Sequence, residues 1–478
     1  MNRKVYLIGI GGIAMANLAC LLKKQGYLVS GSDLDTFGPS AVLLKTHGID
    51  YFKDHNPNHI KKFKPDITVI GNAIQRGNPS LEYILNKRLP YCSMPEIIKK
   101  EVIGEKISIV IAGTSGKTTT AAIIAWILHK SGLKPSALIG GIVKNLDSGF
   151  LAGSGRYAVV EGDEYGTSFY DNSPKFIHYL PYFSVITNIQ ADHLDIYGNM
   201  ENIFKAFQKL VKITPTQGSL ILNNDNPYTP ELIKESKSKI VTFAKNGPRY
   251  AKGSGEASDI WINNPRLTPD GLSIVVYRGS KRLGEVKSKL FGRHNVENIL
   301  AAIALALELK IPFSKINKAI ADFEGVKRRL EVIYDRNNVK IIDDFAHNPD
   351  KVSASLSALR SHFSKHHIVA IFEPRTGSSR RKFFQNAYIS SFKPADMVYA
   401  AEPYRKSALN KKEAFSSWQL AKDLNKKGTE AYALKNADEI LAHLKSNFLE
   451  SNTSPTIFCI MTSGEFDGIH KKLVKLVS

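Results

Sequence analysis

Ile109-Val110-Ile111-Ala112-Gly113-Thr114-Ser115-Gly116-Lys117-Thr118-Thr119-Thr120 is an apolar run that enters a glycine-bounded turn and leaves it into Ala121-Ala122-Ile123-Ile124-Ala125-Trp126-Ile127-Leu128. The pattern reads strand, turn, helix. Such a turn aims backbone N–H groups and a helix N-terminus at a phosphate chain. Lys117 adds a mobile positive charge, and the Thr118 hydroxyl can ligate Mg²⁺. The stretch therefore implies a nucleoside triphosphate site. A full GxxxxGK[ST] loop would need glycine at 111, where this chain has Ile111, so the loop is a shorter form. A bare GKT tripeptide is common by chance, and the strand before it and helix after it are what give it weight.

Outward from this loop, the chain of 478 residues is too long for one core and predicts roughly three domains. No apolar run reaches the roughly 18 residues that cross a bilayer, so no membrane insertion is expected. The opening Met1–Gly9 breaks at once into a Gly-rich turn and reads as a first strand rather than a leader. Cys20, Cys92 and Cys459 form no metal or redox spacing and fit a reducing cytoplasm. The net charge of +21 admits two readings. One is a nucleic-acid-dependent P-loop protein; the other is a basic surface serving polyanionic small molecules. Lys and Arg are scattered, with only short clusters such as Arg380-Arg381-Lys382, which favours the second and no nucleic-acid partner.

Three α/β segments are expected. Residues 1–105 alternate strand-like pieces (Val5–Ile8, Tyr27–Ser30, Ile67–Ile70) with helical patterns such as Ala14–Gln25, which predicts an open parallel sheet. Gly9-Ile10-Gly11-Gly12-Ile13-Ala14 forms a GxGxxA turn, and Asp33 follows the second strand. A dinucleotide or the diphosphate of another nucleotide would fit that turn. Residues 106–325 hold the phosphate loop and the strands Tyr157–Val160 and Phe183–Thr187. Residues 326–478 start afresh with Val339–Ile342, Val369–Phe372, Met397–Ala400 and Ile457–Met461.

Glu161 directly follows one strand of the second segment, and His193 lies just beyond another. Carboxyl ends of parallel strands converge on the ligand crevice of an α/β sheet. Phosphate loop, Glu161 and His193 should meet there around Mg²⁺ held by Thr118, Glu161 and His193. Each residue also has an ordinary reading, as a solvated acid or a surface histidine.

Taken in order, Gly113–Thr120, Glu161-Gly162-Asp163-Glu164, Ala191-Asp192-His193, Gly292-Arg293-His294-Asn295-Val296-Glu297-Asn298 and Asp343-Asp344-Phe345-Ala346-His347-Asn348-Pro349 resemble the motifs of the Mur ligase family over essentially the whole chain. The resemblance implies a Rossmann-like N-terminal domain (1–105) for a UDP-sugar, a central P-loop ATPase domain (106–325), and a Rossmann-like C-terminal domain (326–478) for the incoming amine. It implies ATP at Gly113, Thr114, Ser115, Gly116, Lys117, Thr118 and Thr119, with Asn295, Asn298, Arg329 and Asp344 also toward the nucleotide. Lys117, Glu161 and His193 are the implied catalytic group. Gly11, Gly12, Asp33, Asn72 and Arg76 would contact the UDP-sugar, and Arg375 and His470 the peptide, whose acidic groups suit a guanidinium. The N-terminal turn resembles the branch acting directly on UDP-N-acetylmuramate. Gly71–Pro79, Ser173–Tyr179, Glu373-Pro374-Arg375 and Gly464–His470 resemble the members that couple it to a murein peptide, L-alanyl-γ-D-glutamyl-meso-diaminopimelate, rather than to L-alanine. Ser115 and Asn348 stand where relatives often carry histidine. Phe207 occupies the place of a carbamylated lysine in other branches, so no carbamate bridge is expected. A monomer or weak homo-oligomer is implied.

Overall fold

The computed structural model describes residues 3–34, 38–190, 197–245, 247, 258–377, 379–405, 413–449 and 454–478. Its first sheet contains β1 (Lys4–Ile8), β2 (Leu28–Ser32), β3 (Tyr51–Phe52), β4 (Ile67–Ile70) and β5 (Tyr91–Ser93), all parallel, in the order β3-β2-β1-β4-β5. Strand order reverses between β1 and β4, and a ligand crevice forms where it does. The turn after β1, with Gly11 and Gly12, and the loop after β4, with Asn72 and Arg76, border that crevice.

The second sheet contains β6 (Ile107–Ala112), β7 (Ser136–Val143), β8 (Ser148–Leu151), β9 (Tyr157–Glu161), β12 (Phe183–Ile186), β13 (Ser219–Asn223), β14 (Lys239–Ala244), β15 (Ile260–Thr268), β16 (Gly271–Arg278) and β17 (Lys281–Ser288). A separate hairpin is made of β10 (Gly166–Ser168) and β11 (Asp171–Pro174). The sheet order is β17-β16-β15-β14-β13-β12-β6-β9-β7-β8, and β6 lies parallel to both β12 and β9. Ile109, Val110, Ile111 and Ala112 of β6 are all fully buried, as a central parallel strand covered on both faces requires. The third sheet has the order β18 (Glu331–Arg336), β19 (Val339–Asp344), β23 (Thr456–Met461), β20 (His367–Phe372), β21 (Met397–Ala401) and β22 (Glu430–Leu434). Only β18 runs antiparallel to its neighbour.

Two compact units result: Met1–Arg266 with Ser273–Lys289 and His294–Val326, and Leu267–Leu272 with Leu290–Arg293 and Lys327–Ser478. In the first unit, one apolar cluster runs from Val5 and Leu7 through Met94, Ile98 and Val102 to Val110 and Leu210, so the first two sheets share a core. A polar side chain sits at the same junction. Register between β7 and β8 shifts between Leu138 and Val143, which leaves backbone groups without ladder partners. Asn17, fully buried on the helix Ile13–Lys24, fills the gap. Its Nδ2 donates to the carbonyls of Ile139 (3.0 Å) and Gly141 (3.2 Å), and its Oδ1 accepts the Gly149 N–H at 2.9 Å. A Cβ on Gly149 would lie 2.0 Å from the Gly141 carbonyl oxygen and 2.2 Å from Asn17 Nδ2, so only glycine fits.

Asn17→Ala should strand these buried groups and, at about 1–3 kcal/mol for each buried group left unpaired, destabilise the first unit by about 2–4 kcal/mol. Urea unfolding followed by Trp126 fluorescence checks this; a shift below about 0.5 kcal/mol would show that the carboxamide is dispensable.

Candidate active site

The phosphate loop joins β6 to the helix Lys117–Lys130. Gly113 has φ +133° and Gly116 φ +81°, values that L side chains rarely adopt. A Cβ at Gly113 would lie 2.1 Å from Thr187 Oγ1, and one at Gly116 2.2 Å from Asn298 Oδ1. The segment after β12 laces the loop down. Thr114 Oγ1 and the Ser115 N–H donate to Asn188 Oδ1 at 2.8 and 2.9 Å, Asn188 Nδ2 donates to Ser115 Oγ at 2.7 Å, and Thr187 Oγ1 donates to the Ser115 carbonyl at 2.6 Å. Thr187 and Asn188 escaped the reading of the sequence; their only signal was their place just past a strand end. No side chain caps the helix Lys117–Lys130 at Gly116. Its first-turn N–H groups, Thr119 included, therefore keep the anion-attracting character of a helix start.

β9 ends beside β6, which brings Glu161 to the loop. Glu161 Oε2 accepts the Thr118 hydroxyl at 2.9 Å, and Oε1 accepts the Gly140 N–H of β7 at 2.5 Å. Burial, reinforced by the neighbouring Asp163 charge, holds the Glu161 carboxyl above its ordinary pKa despite these hydrogen bonds. Lys117 Nζ donates to the Gly113 carbonyl at 2.7 Å and to Glu164 at 2.8 Å. Burial pulls the ammonium pKa down, but Glu164 and Asp163 outweigh it and hold the pKa above its usual value. Thr118, Lys117 and Glu161 are thus brought together as the sequence implied. His193 lies outside the described residues.

Asn295 and Asn298 sit on the helix Arg293–Glu308, both buried. Asn298 Nδ2 donates to Asn295 Oδ1 at 2.8 Å, and its Oδ1 accepts the Thr120 hydroxyl at 3.2 Å. The pair therefore buttresses the phosphate loop from behind. Phe207, fully buried, packs against Phe176 with ring centroids 6.1 Å apart.

In the first sheet the Gly11 N–H donates to Asp33 at 2.8 Å, which ties the turn to the end of β2. The helix Ile13–Lys24 starts at Gly12 without a side-chain cap. Arg76 is exposed and pairs with Glu82 through bonds of 2.9 and 3.1 Å; Asn72 is exposed on the same loop.

Asp344, buried, accepts the N–H groups of Leu330 (2.7 Å) and Ala346 (2.8 Å) and the Ser355 hydroxyl (3.0 Å). It thereby fixes the segment that carries Arg329, whose guanidinium lies 5.4 Å from the Phe345 ring centre. His470 lies 3.0 Å from Asp343, and Asp343 3.4 Å from Arg328, which donates to the carbonyls of Thr462 (2.5 Å) and Gly464 (3.0 Å). Arg375 packs over Gly464, where a Cβ would lie 2.2 Å from its Nε, and stacks 3.7 Å from the centre of the Tyr404 ring. Beside it, at the carboxyl ends of β20, β21, β22 and β23, a cavity of about 350 Å³ is lined by Glu373, Glu402, Tyr404, Arg405, Lys435 and Asp467 among others. Two of the stretches singled out in the sequence, Glu373–Arg375 and Gly464–His470, contribute to its lining; Glu402, Tyr404, Arg405 and Lys435 come from other strand ends and carried no signal there.

Family models match three successive stretches: Mur ligase family, catalytic domain (residues 4–102), Mur ligase middle domain (111–306) and Mur ligase, glutamate ligase domain (328–457). The UDP-N-acetylmuramate–L-alanyl-γ-D-glutamyl-meso-2,6-diaminoheptandioate ligase of Escherichia coli is 32% identical over 98% of this chain and 97% of its own. Among solved structures, a murein peptide ligase from Psychrobacter arcticus aligns with TM-score 0.74 and 27% identity, covering 100% of this chain and 99% of its own. The UDP-N-acetylmuramate–alanine ligase of Thermotoga maritima aligns with TM-score 0.80 and 25% identity, covering 99% and 98%. The chain belongs to the Mur ligase family. It is an ATP-dependent ligase that forms a carbon–nitrogen bond.

If Glu161 serves a cation as the sequence reading expects, it must be ionised, and its pKa is raised. Activity should therefore fall on acidification at a pH above the ordinary glutamate value of about 4.3. A pH profile of kcat/KM for ATP checks this. Glu161→Gln should remove most of the activity, and a variant that keeps wild-type activity would remove Glu161 from the site.

Proposed function

We propose that the chain joins the lactyl carboxylate of UDP-N-acetylmuramate to the α-amine of L-alanyl-γ-D-glutamyl-meso-diaminopimelate, as part of wall-fragment recycling in the cytoplasm. The observation that carries this reading is the glycine cradle with Lys117, Thr118 and Glu161 at one sheet edge. A charged, roomy acceptor cavity in the second unit supports it. About 350 Å³ lies within the roughly 300–1,000 Å³ typical of ligand sites. Its lining carries both signs of charge, as a peptide with several carboxylates and two amines requires.

In this reading residues 1–105 seat the UDP-sugar, residues 106–325 the ATP, and residues 326–478 the peptide. Gly11, Gly12 and Asp33, with Asn72 and Arg76, receive the sugar nucleotide. Gly113 to Thr119 cradle the ATP phosphates, Asn295 and Asn298 brace that cradle, and Arg329 and Asp344 are assigned to the nucleotide as well. Arg375 and His470 read the peptide. Thr118 and Glu161 are hard oxygen donors whose chemistry fits Mg²⁺, and they would hold it. His193 would join them. When bound, the ion neutralises charge on the phosphate oxygens.

A carboxylate offers the amine no leaving group. Its oxygen therefore attacks the γ-phosphorus of ATP, ADP departs, and an acyl phosphate forms. Lys117 stabilises charge on the transferring phosphoryl group. The neutral amine adds to the carbonyl carbon, and the tetrahedral adduct collapses to the amide with loss of phosphate and a proton. The alternative acceptor, L-alanine, is favoured by the Thermotoga maritima likeness.

Two measurements test this. Lys117→Ala should lower kcat by about 100-fold or more, the cost of losing one preorganised charge on the reacting group, and hydroxylamine should trap a hydroxamate from the wild type. Phosphate release against a panel of amines, with UDP-N-acetylmuramate fixed, should be fastest with the tripeptide. A faster rate with L-alanine would transfer the reading to that acceptor.

A further inference from the structure

Lys175 has no part in the chemistry above, yet it is among the most deeply buried cations of the described residues, 5% exposed. It follows the β10–β11 hairpin and opens the short turn Lys175–Tyr179. Its backbone N–H donates to the Asp163 carbonyl at 3.0 Å, and its Nζ to Asp163 Oδ2 at 2.8 Å. The same ammonium lies 4.6 Å from the centre of the Tyr165 ring. Asp163 Oδ1 faces the other way and stands 3.9 Å from Lys117 Nζ, a distance at which charges attract without a hydrogen bond. Asp163 thus has two cations to choose between, and the geometry gives it to Lys175.

We propose that Lys175 is a positioning residue for ATP: by engaging Asp163 it keeps that carboxylate from closing on Lys117, so the loop ammonium can exchange Glu164 for the triphosphate. The inference rests on the reading that Lys117 receives the ATP phosphates. Three carboxylates, Glu161, Asp163 and Glu164, surround this corner against two ammoniums, Lys117 and Lys175. Removing Lys175 leaves three acids facing one ammonium, in the place where an anionic phosphate must arrive. The field at the corner becomes more negative, which repels ATP and attracts a divalent cation.

A purely structural Lys175 predicts something different: lower thermal stability, with no opposed change in the two ligands. Calorimetric titration of ATP without acceptor, and of Mg²⁺ without nucleotide, separates these outcomes. K175M should weaken ATP binding about tenfold while tightening Mg²⁺ binding, since losing one partner of a buried charge pair leaves the other uncompensated. K175R should retain the wild-type affinities. The double variant K175M/D163N buries no lone charge and should recover ATP affinity to within about threefold of wild type. D163N alone should bind ATP at least as tightly as wild type, and it carries the test should K175M not fold. Wild-type ATP affinity in K175M, a double variant no better than K175M, or weaker binding by D163N would each overturn the proposal. K117A serves as the reference. If it binds ATP normally, the reading of the phosphate loop itself fails; if it loses ATP while K175M does not, only the role of Lys175 falls.

Discussion

Glu161 is gripped from two sides, by the Thr118 hydroxyl of one strand-turn-helix unit and by the Gly140 N–H of another strand. That double hold is the constraint on which the site turns. A carboxylate at a strand end would ordinarily lie in water and point nowhere in particular. Here the adjacency of β6, β9 and β7 leaves it one place to be, and burial leaves its charge only partly compensated. Lys117 offsets that charge only in part, and in the proposed reading a divalent cation would supply the rest, because the Coulomb term grows as water is excluded. The hydrogen bonds of Lys117 go to Glu164 and to the Gly113 carbonyl rather than to Glu161.

The same strand that holds Glu161 also couples the first sheet to the second. Asn17 accepts and donates across the junction to Ile139, Gly141 and Gly149, and Ile139 and Gly141 flank Gly140. Asn17 lies one turn into the helix that begins at Gly12, the turn that faces the first crevice. One buried carboxamide thus links the proposed sugar-nucleotide turn to the backbone that orients the proposed metal carboxylate. Since interiors are packed at crystal-like density, a shift at either end is transmitted rather than absorbed.

Local features were legible in the sequence and cross-chain pairings were not. The phosphate loop was readable because its glycines, lysine and threonine lie within a few residues and their backbone demands are local. Glu161 was readable because it directly follows an apolar run. The strands Ile67–Ile70 and Val339–Asp344 followed from hydrophobic runs alone, although the second continues two residues beyond the apolar stretch through Asp343 and Asp344. Both oxygens of Asp344 accept hydrogen bonds, from Leu330, Ala346 and Ser355, a pairing no spacing reveals. Lys175 and Asp163 are twelve residues apart with a hairpin between them, and only the return of that hairpin makes them partners. Asn17 looked like one more residue of an apolar helix, for its partners are more than a hundred positions away.

The charge of the chain and the charge of the site point in opposite directions, and together they account for the acid cluster. The chain carries +21 overall, whereas the corner around Lys117 has three acids against two ammoniums. Long-range attraction acts on polyanions such as ATP and the proposed UDP-sugar before they dock. Short-range repulsion then acts on the terminal phosphate unless a divalent cation arrives with it. A site built only from cations would hold ATP tightly without the metal and would hold the ADP product equally well. In the proposed reading, excess carboxylate at the phosphate end would make binding conditional on the cation and would weaken the grip once the γ-phosphoryl group has left. On this argument the acids beside Lys117 are part of how the site releases what it has used.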